Sequence, residues 1–431
     1  MESDQVLSLI DESFDHVFVT GPAGTGKTTL LQRFVDETEK TVVVAAPTGV
    51  AALAVGGQTL HSLFRLPPAL IREGDIGFCP RPTLEMLRLI DTLVIDEISM
   101  VRADVLDGVD RRLRQAKRSS RPFGGAQLLM FGDLFQLAPI VSRDESDEFR
   151  REGWKSPWFF EAKVWQETAF RTVSLETIHR QTDAEFQRVL LALRNGTIDA
   201  DMAQMLNERG QIPPDSPDVV TLAALNSTVR EINSSRLKAL KGKARQIRAQ
   251  IDGDFPGPSQ YPADDPLTLK AGAQVIFLRN DSPNDGARWV NGTVGVIASF
   301  SSSSEEPDSI VVEVDGDQVE VERVSWTRIK YAKHPVTNEP VREEVGQFTQ
   351  FPLRLAWAVT IHKAQGKTLD EAMIDLGPRA FAAGQTYVAF SRLTSLDGLH
   401  LARPLKPADI IVDPDVKRFF ETASNEAGAL W

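Results

Sequence analysis

The stretch Gly21-Pro22-Ala23-Gly24-Thr25-Gly26-Lys27-Thr28 decides how this chain is read. An apolar run, Val17-Phe18-Val19, precedes it and has the length of a buried strand; Thr29-Leu30-Leu31-Gln32-Arg33-Phe34-Val35 follows it with apolar residues at helical spacing. Strand, glycine-rich turn and helix start together form a phosphate cradle. The glycines let the backbone turn with its N–H groups inward, and the helix N-terminus adds a dipole that favours anionic oxygens. In this setting Lys27 is expected to reach the β- and γ-phosphates of a nucleoside triphosphate, and Thr28 to ligate Mg2+.

The rest of the chain is read outward from that cradle. Its 431 residues exceed one hydrophobic core and imply several modules. With 42% hydrophobic and 25% charged residues the composition is that of a globular protein, which excludes disordered and fibrous classes. A single cysteine, Cys79, leaves no disulfide framework and no cysteine zinc site. No apolar run approaches the roughly 20 residues of a membrane span, and the N-terminus is acidic rather than signal-like. A reducing cytosolic compartment is expected, or a nuclear or mitochondrial one in a eukaryote, with no membrane partner. The net charge of -12 argues against a global positive field for nucleic acid, although a motor needs only a local basic groove. Arg111, Arg112, Arg114, Lys117, Arg118 and Arg121 form one basic cluster, readable either as a DNA contact or as a solvated helix face.

Ahead of the cradle, residues 1–16 have helical spacing, and Gln5 carries an amide able to pair with both a donor and an acceptor on an adenine edge. A second buried strand, Thr41-Val-Val-Val-Ala45, leads into Ala46-Pro47-Thr48-Gly49, a turn at the edge where ligands of open α/β sheets collect. His61, in Thr59-Leu60-His61-Ser62-Leu63-Phe64, either donates to a phosphate or caps a helix start; residues 65–88 read as a loop or small hairpin insertion. The third strand, Leu93-Val94-Ile95, delivers Asp96 and Glu97 to the same edge. Asp96 suits Mg2+, and Glu97 suits orienting or deprotonating the attacking water. A fourth strand over 127–133 leads to Gln136, placed to sense a γ-phosphate, and a further one over 170–175 leads to His179-Arg180-Gln181.

Past a turn-rich linker at 253–262, short strands alternate with Asn-Asp, Asn-Gly and Asp-Gly turns, a pattern for a small β-barrel. An α/β pattern resumes at Leu353 and carries Thr360-Ile361-His362-Lys363-Ala364-Gln365-Gly366-Lys367-Thr368, then a helix ending near Arg392. A switch or kinase needs only the first α/β half. Arg180 and Arg392 lie in motifs of the second, and as permanently charged planar donors they suit transition-state phosphate oxygens once two halves close around ATP. Closing and opening once per ATP is a motor's cycle.

The order of these motifs resembles the superfamily 1 helicases of subclass B, and within them the petite-integration-frequency (PIF) family, relatives of RecD. The resemblance rests on GPAGTGKT at 21–28, APTGVAA at 46–52, TLHSLF at 59–64, DEIS at 96–99, RPFGGAQLLMFGDLFQLAP at 121–139, HRQ at 179–181, TIHKAQGKTLD at 360–370 and YVAFSRLTSLDGL at 387–399. The arginine-rich helix 102–118 resembles that family's signature segment. The resemblance implies two RecA-like P-loop domains, with a small wedge insertion in the first and an SH3-like β-barrel inserted in the second. The expected boundaries are 1–170 for the first domain with its insertion at about 64–90, 171–270 and 346–431 for the second, and 271–345 for the barrel. It implies an ATP- and Mg2+-dependent 5′-to-3′ DNA helicase working on single-stranded DNA and tailed or forked duplexes, with quadruplexes and RNA–DNA hybrids as further substrates, in replication, repair, recombination or telomere-type maintenance. A monomer is the expected state.

Residue by residue, Gln5 resembles the adenine reader, Gln136 the γ-phosphate sensor, and Arg180 and Arg392 the arginine fingers. Gln365 and Gly366 are expected beside the nucleotide. Thr48, His61, Thr360 and His362 resemble residues that hold single-stranded DNA, with Pro47, Phe64 and Lys363 beside them. The rival readings are a DNA-stimulated translocase subunit of a RecD-like nuclease complex and a nucleotide-gated DNA-binding scaffold.

Overall fold

The computed structural model describes residues 2–181, 183–214, 216, 218–281, 288–302, 306–337 and 339–427. It divides into two compact units, one of Met1–His179, Thr327–Val345 and Asp413–Trp431, the other of Arg180–Trp326 and Gly346–Val412.

The first unit is built on six strands: β1 (His16–Thr20), β2 (Val42–Ala46), β3 (Gln58–Thr59), β4 (Thr92–Ile95), β5 (Gln127–Phe131) and β6 (Phe170–Ser174). They pair in the order β3-β2-β4-β5-β1-β6, every pair parallel. Near-continuous apolar runs form the middle strands because both faces of a parallel sheet are covered. The two-residue side-chain period divides them. Val17, Val19, Val44, Val94 and Leu129 face the helices α1 (Ser3–Glu12) and α2 (Lys27–Glu37), packing on Val6, Ile10, Leu30, Leu31 and Phe34. Phe18, Val43, Ala45, Leu93, Ile95, Leu128 and Met130 join the opposite core with Leu106, Val109 and Leu113. The short helices α3 (Gly49–Ala54), α4 (Leu60–Phe64) and α5 (Arg81–Arg88) follow β2, β3 and the chain's crossing towards β4.

The helix α6 (Ala103–Lys117) supplies Leu106, Val109 and Leu113, and buries Asp104, Asp107, Asp110 and Arg112 as well. Each of these satisfies backbone groups that no helix or strand satisfies. The Ile71 N–H donates to Asp104, those of Lys163 and Val164 donate to Asp107, and that of Phe123 donates to Asp110. Arg112 donates to the carbonyls of Phe64, Arg65 and Gly77. Residues 65–80 contain no helix or strand, so the hairpin considered for this insertion does not form; side chains of α6 hold its backbone instead. The basic cluster of this helix is likewise drawn inward at Arg112, which is fully buried, and at Arg111, which donates to the carbonyls of Ile71 and Arg72.

A helix over Pro414–Ala427 also belongs to this unit. Val416 enters its core, Phe420 stacks on Phe135 with ring centroids 5.3 Å apart, and Trp158 Nε1 donates to Asp413 at 3.0 Å.

The second unit contains a four-stranded parallel sheet in the order 358–360, 221–223, 372–375, 399–401. It also holds a five-stranded antiparallel sheet in the order 317–322, 309–314, 294–300, 274–277, 353–355. That sheet extends past the expected boundary at 345, because Val275 and Phe277 pair with Leu355 and Leu353. Residues 327–345 belong to the first unit, where the Tyr331 hydroxyl accepts from the Val44 N–H and the Tyr331 N–H donates to Gln58 Oε1. Strand periodicity marks a strand but not its partner, which accounts for the shifted limits. Among the described residues no helix is long and apolar enough to cross a membrane.

Candidate nucleotide and nucleic-acid site

Because all six strands of the first sheet are parallel, their carboxyl ends share one edge. Gly21, Pro47, Asp96 and Gly132 each follow directly from the ends of β1, β2, β4 and β5. Gly24 and Gly26 have φ of 85° and 79°, the left-handed region that a glycine adopts without strain. A Cβ at Gly21 would lie 2.5 Å from the Leu175 carbonyl oxygen, so the turn can approach the end of β6 only without a side chain. The His179 N–H then donates to the Gly24 carbonyl at 2.9 Å, tying the segment after β6 to the cradle. Thr25 is buried and its hydroxyl donates to the Pro22 carbonyl. Lys27 Nζ donates to the carbonyls of Gly21 and Pro22 at 2.8 and 2.9 Å, which folds the ammonium over the mouth of the turn. Thr28 and Thr29 stand in the first turn of α2, with Ala23 in the loop before it.

Asp96 is buried, and its carboxyl is pushed up to about 7 by burial first and by the neighbouring Glu97 charge second, against the pull of the Glu97 N–H and of Lys27. A carboxylate held in this way gains most from a cation beside it. Thr28 and Asp96 offer one hydroxyl and one carboxylate, the small donor set that suits Mg2+ retaining waters and substrate phosphate oxygens. Buried Thr20 Oγ1 and Ser99 Oγ have no hydrogen-bond partner among the described residues, which leaves polar capacity at the end of β1 and in the turn after Glu97. Glu97 adopts φ 51° and ψ 44°, and its N–H donates to Asp96 Oδ1 at 2.9 Å. Left-handed backbone at a non-glycine residue costs about 1 kcal/mol, and it occurs here directly after β4, between the two adjacent carboxylates and the turn that follows.

Gln136 is almost fully buried and its N–H donates to the Asp133 carbonyl. Gly132 is what sequence reading missed: a Cβ there would meet Ile98 Cγ2 at 2.9 Å, so its absence lets the turn bearing Gln136 close onto the turn after Glu97. Its signal in the sequence was a glycine directly after an apolar strand.

Arg180 and Arg392, far apart in sequence, meet at Ser391. Arg180 donates to the Ser391 carbonyl at 3.1 Å and Arg392 to its hydroxyl at 2.7 Å, while Gln181 donates to the Leu393 carbonyl. Arg392 is fully buried, with Nε also donating to the Val388 carbonyl in the helix Gln385–Phe390 that precedes it. Ser391 was not singled out by sequence reading.

The expected DNA contacts are placed unevenly. Thr48 caps α3 by accepting from the Ala51 N–H, and Pro47 beside it is half-buried. His61 is half-buried on α4, its pKa lowered by burial. Phe64 is a correction: it has no exposed surface and lies in the core, because α4 turns its apolar side inward under α6, so it offers no ring to a base. Thr360 is buried and accepts from the Lys363 N–H at 3.3 Å, whereas His362 and Lys363 are exposed on the turn that follows. Gln365 and Gly366 continue that turn, with Gly366 at φ 80°. Gln5 is exposed in the first turn of α1, where its amide oxygen accepts from the Glu2 N–H.

The PIF1-like helicase family model matches residues 3–204. The ATP-dependent DNA helicase Pif1 of Bdellovibrio bacteriovorus is 32% identical over 97% of this chain and 91% of its own length. Human ATP-dependent DNA helicase PIF1 is 34% identical over 94% of this chain, which spans 61% of the human protein. The crystal structure of Bacteroides Pif1 in complex with ADP-AlF4 superposes with a TM-score of 0.89 at 37% identity, covering 98% of this chain and 96% of that one. With similarity at these levels covering almost the whole chain, the chain belongs to the PIF1-like helicase family and is an ATP-dependent DNA helicase.

Proposed function

We propose that this helicase translocates 5′-to-3′ on single-stranded DNA and separates tailed or forked duplexes as a monomer. One observation carries the proposal: the parallel sheet of the first unit brings the cradle, Asp96, Glu97 and the Gln136 turn to one edge, the parts phosphoryl transfer to water needs. Support for the DNA partner comes from a structure of Bacteroides Pif1 bound to single-stranded DNA and from one of two coordinating Pif1 helicases at forked double-stranded DNA.

In this reading the cradle N–H groups and Lys27 bind the phosphates, Thr28 and Asp96 hold Mg2+, and Gln5 meets the adenine. Mg2+ bound there neutralises charge on the phosphate oxygens. Glu97 orients and deprotonates the attacking water, Gln136 registers the terminal phosphate, and the arginines joined at Ser391 stabilise transition-state charge. Gln365 and Gly366 flank the nucleotide. Pro47, Thr48, His61, Thr360, His362 and Lys363 hold the DNA backbone. The five-stranded antiparallel sheet takes the place of the SH3-like barrel, and about 64–90 that of the wedge.

The test is strand separation on matched duplexes carrying a 5′ or a 3′ single-stranded tail. Unwinding of the 5′-tailed duplex alone is expected. Preference for the 3′ tail would reverse the direction, and DNA-stimulated ATP turnover with no separation of either would favour the translocase-subunit reading.

A further inference from the structure

Lys367 is a buried cation to which nothing above gives a role. It is 7% exposed, and its Nζ donates to Asn291 Oδ1 at 2.6 Å and, more weakly, to the Phe277 carbonyl at 3.4 Å. Both acceptors are neutral, and no carboxylate pairs with the ammonium among the described residues. Burying an ammonium on such terms costs stability, and burial together with Arg354 lowers its pKa to about 7. An apolar side chain of the same length would be the cheaper filling for the slot.

What the lysine joins gives it a use. Asn291 and Gly292 form the turn into strand 294–300 of the five-stranded sheet, and Lys367 lies four residues after Lys363 on the turn between strands 358–360 and 372–375 of the parallel sheet. A second contact, independent of the lysine head, joins the same two turns. Gly292 has φ 107°, and a Cβ there would lie 2.7 Å from the Thr368 carbonyl oxygen, so the backbones approach as closely as glycine permits. The Asn291 side is itself braced, because the Asn291 N–H donates to Asn280 Oδ1 at 2.7 Å and the Gly292 N–H to the Phe277 carbonyl at 3.0 Å. The turn bearing His362 and Lys363 is therefore anchored to the antiparallel sheet by one hydrogen-bonded ammonium and one glycine-sized gap.

We infer that Lys367 is a positioning residue for DNA: it fastens the 360–368 turn to Asn291, and through that attachment the five-stranded sheet sets where His362 and Lys363 meet the DNA backbone. The inference rests on the reading of that turn as a DNA contact. Lys367 itself touches no DNA, and its effect passes through the turn.

The experiment is ATP hydrolysis by the full chain across a titration of a single-stranded oligothymidine, with thermal unfolding followed in parallel. Lys367→Met is expected to raise the DNA concentration for half-stimulation about tenfold while turnover at saturating DNA falls less than about threefold, with the melting temperature kept or raised. Asn291→Ala, which leaves the 360–368 turn untouched, is expected to move the same quantity in the same direction should the lysine variant fold poorly. The double variant is expected to be no worse than either single one, since both remove one contact. Asn291→Asp, which keeps the acceptor and adds a charge, is expected to retain wild-type DNA dependence. An unchanged half-stimulation point in Lys367→Met and Asn291→Ala, with Lys363→Ala weakened, would overturn the anchor and leave the DNA reading standing. An unchanged point in Lys363→Ala would overturn both.

Discussion

Glu97 and His16 show how much depends on single side chains in this unit. Glu97→Gln keeps the Asp96 partner and the backbone turn but removes the base, so ATP and Mg2+ should still bind while hydrolysis falls by about two orders of magnitude or more. Nucleotide retention measured beside steady-state turnover checks this, and normal turnover would move the base elsewhere. His16 lies in β1, where its Nδ1 accepts from the Leu128 N–H at 3.0 Å and its ring packs on Phe123 and Phe170. Accepting at Nδ1 requires the ring to be neutral, and burial, the largest cause, lowers its pKa to about 4 from an ordinary 6.5. The folded state thus binds fewer protons than the unfolded one: the histidine's contribution is whole above 6.5 and is lost as pH falls from 6.5 to about 4. That loss amounts to at most about 3 kcal/mol. Urea unfolding between pH 4 and 7 should show the slope, and His16→Phe should flatten it over that window.

At the level of elements, α6 explains why an irregular stretch can be well held. Residues 65–80 lack the regular ladder that would satisfy their backbone, and Asp104, Arg111 and Arg112 satisfy part of it from one helix face. Arg112→Met should lower stability by about 2–4 kcal/mol, since the carbonyls of Phe64, Arg65 and Gly77 would lose a charged donor together. Denaturant unfolding measures the loss, and a change below about 0.5 kcal/mol would mean that water replaces the guanidinium at no cost. The arginine-rich character of α6 was plain in the sequence. Which arginines turned inward was not, because charge and helical spacing are alike for a solvated face and for one that caps a neighbouring loop.

Across the whole molecule, a chain of net charge -12 that grips DNA must do so through local cations. Single-stranded DNA affinity should fall steeply with salt, with a log–log slope of about -0.7 for each phosphate neutralised, and should depend little on base sequence. An affinity flat between 50 and 200 mM salt, titrated by fluorescence anisotropy, would remove the backbone grip proposed for His362 and Lys363 (about two and a half decades are lost over that range for six single-strand contacts). The cradle, the carboxylate pair after β4 and the strands β1, β2, β4, β5 and β6 of the first sheet could be read from the chain alone, whereas strands 372–375 and 399–401 of the second parallel sheet were not. Local spacing, glycine placement and apolar period are properties of neighbouring residues, and they survive without knowledge of the fold. Tertiary structure decided the rest: that Phe64 is core rather than a ring offered to a base, that Arg180 and Arg392 meet at Ser391, that Gly132 admits the turn after Glu97, and that residues 327–345 join the first unit. Each of those depends on which distant segment packs against which, and packing partners leave no period in the sequence.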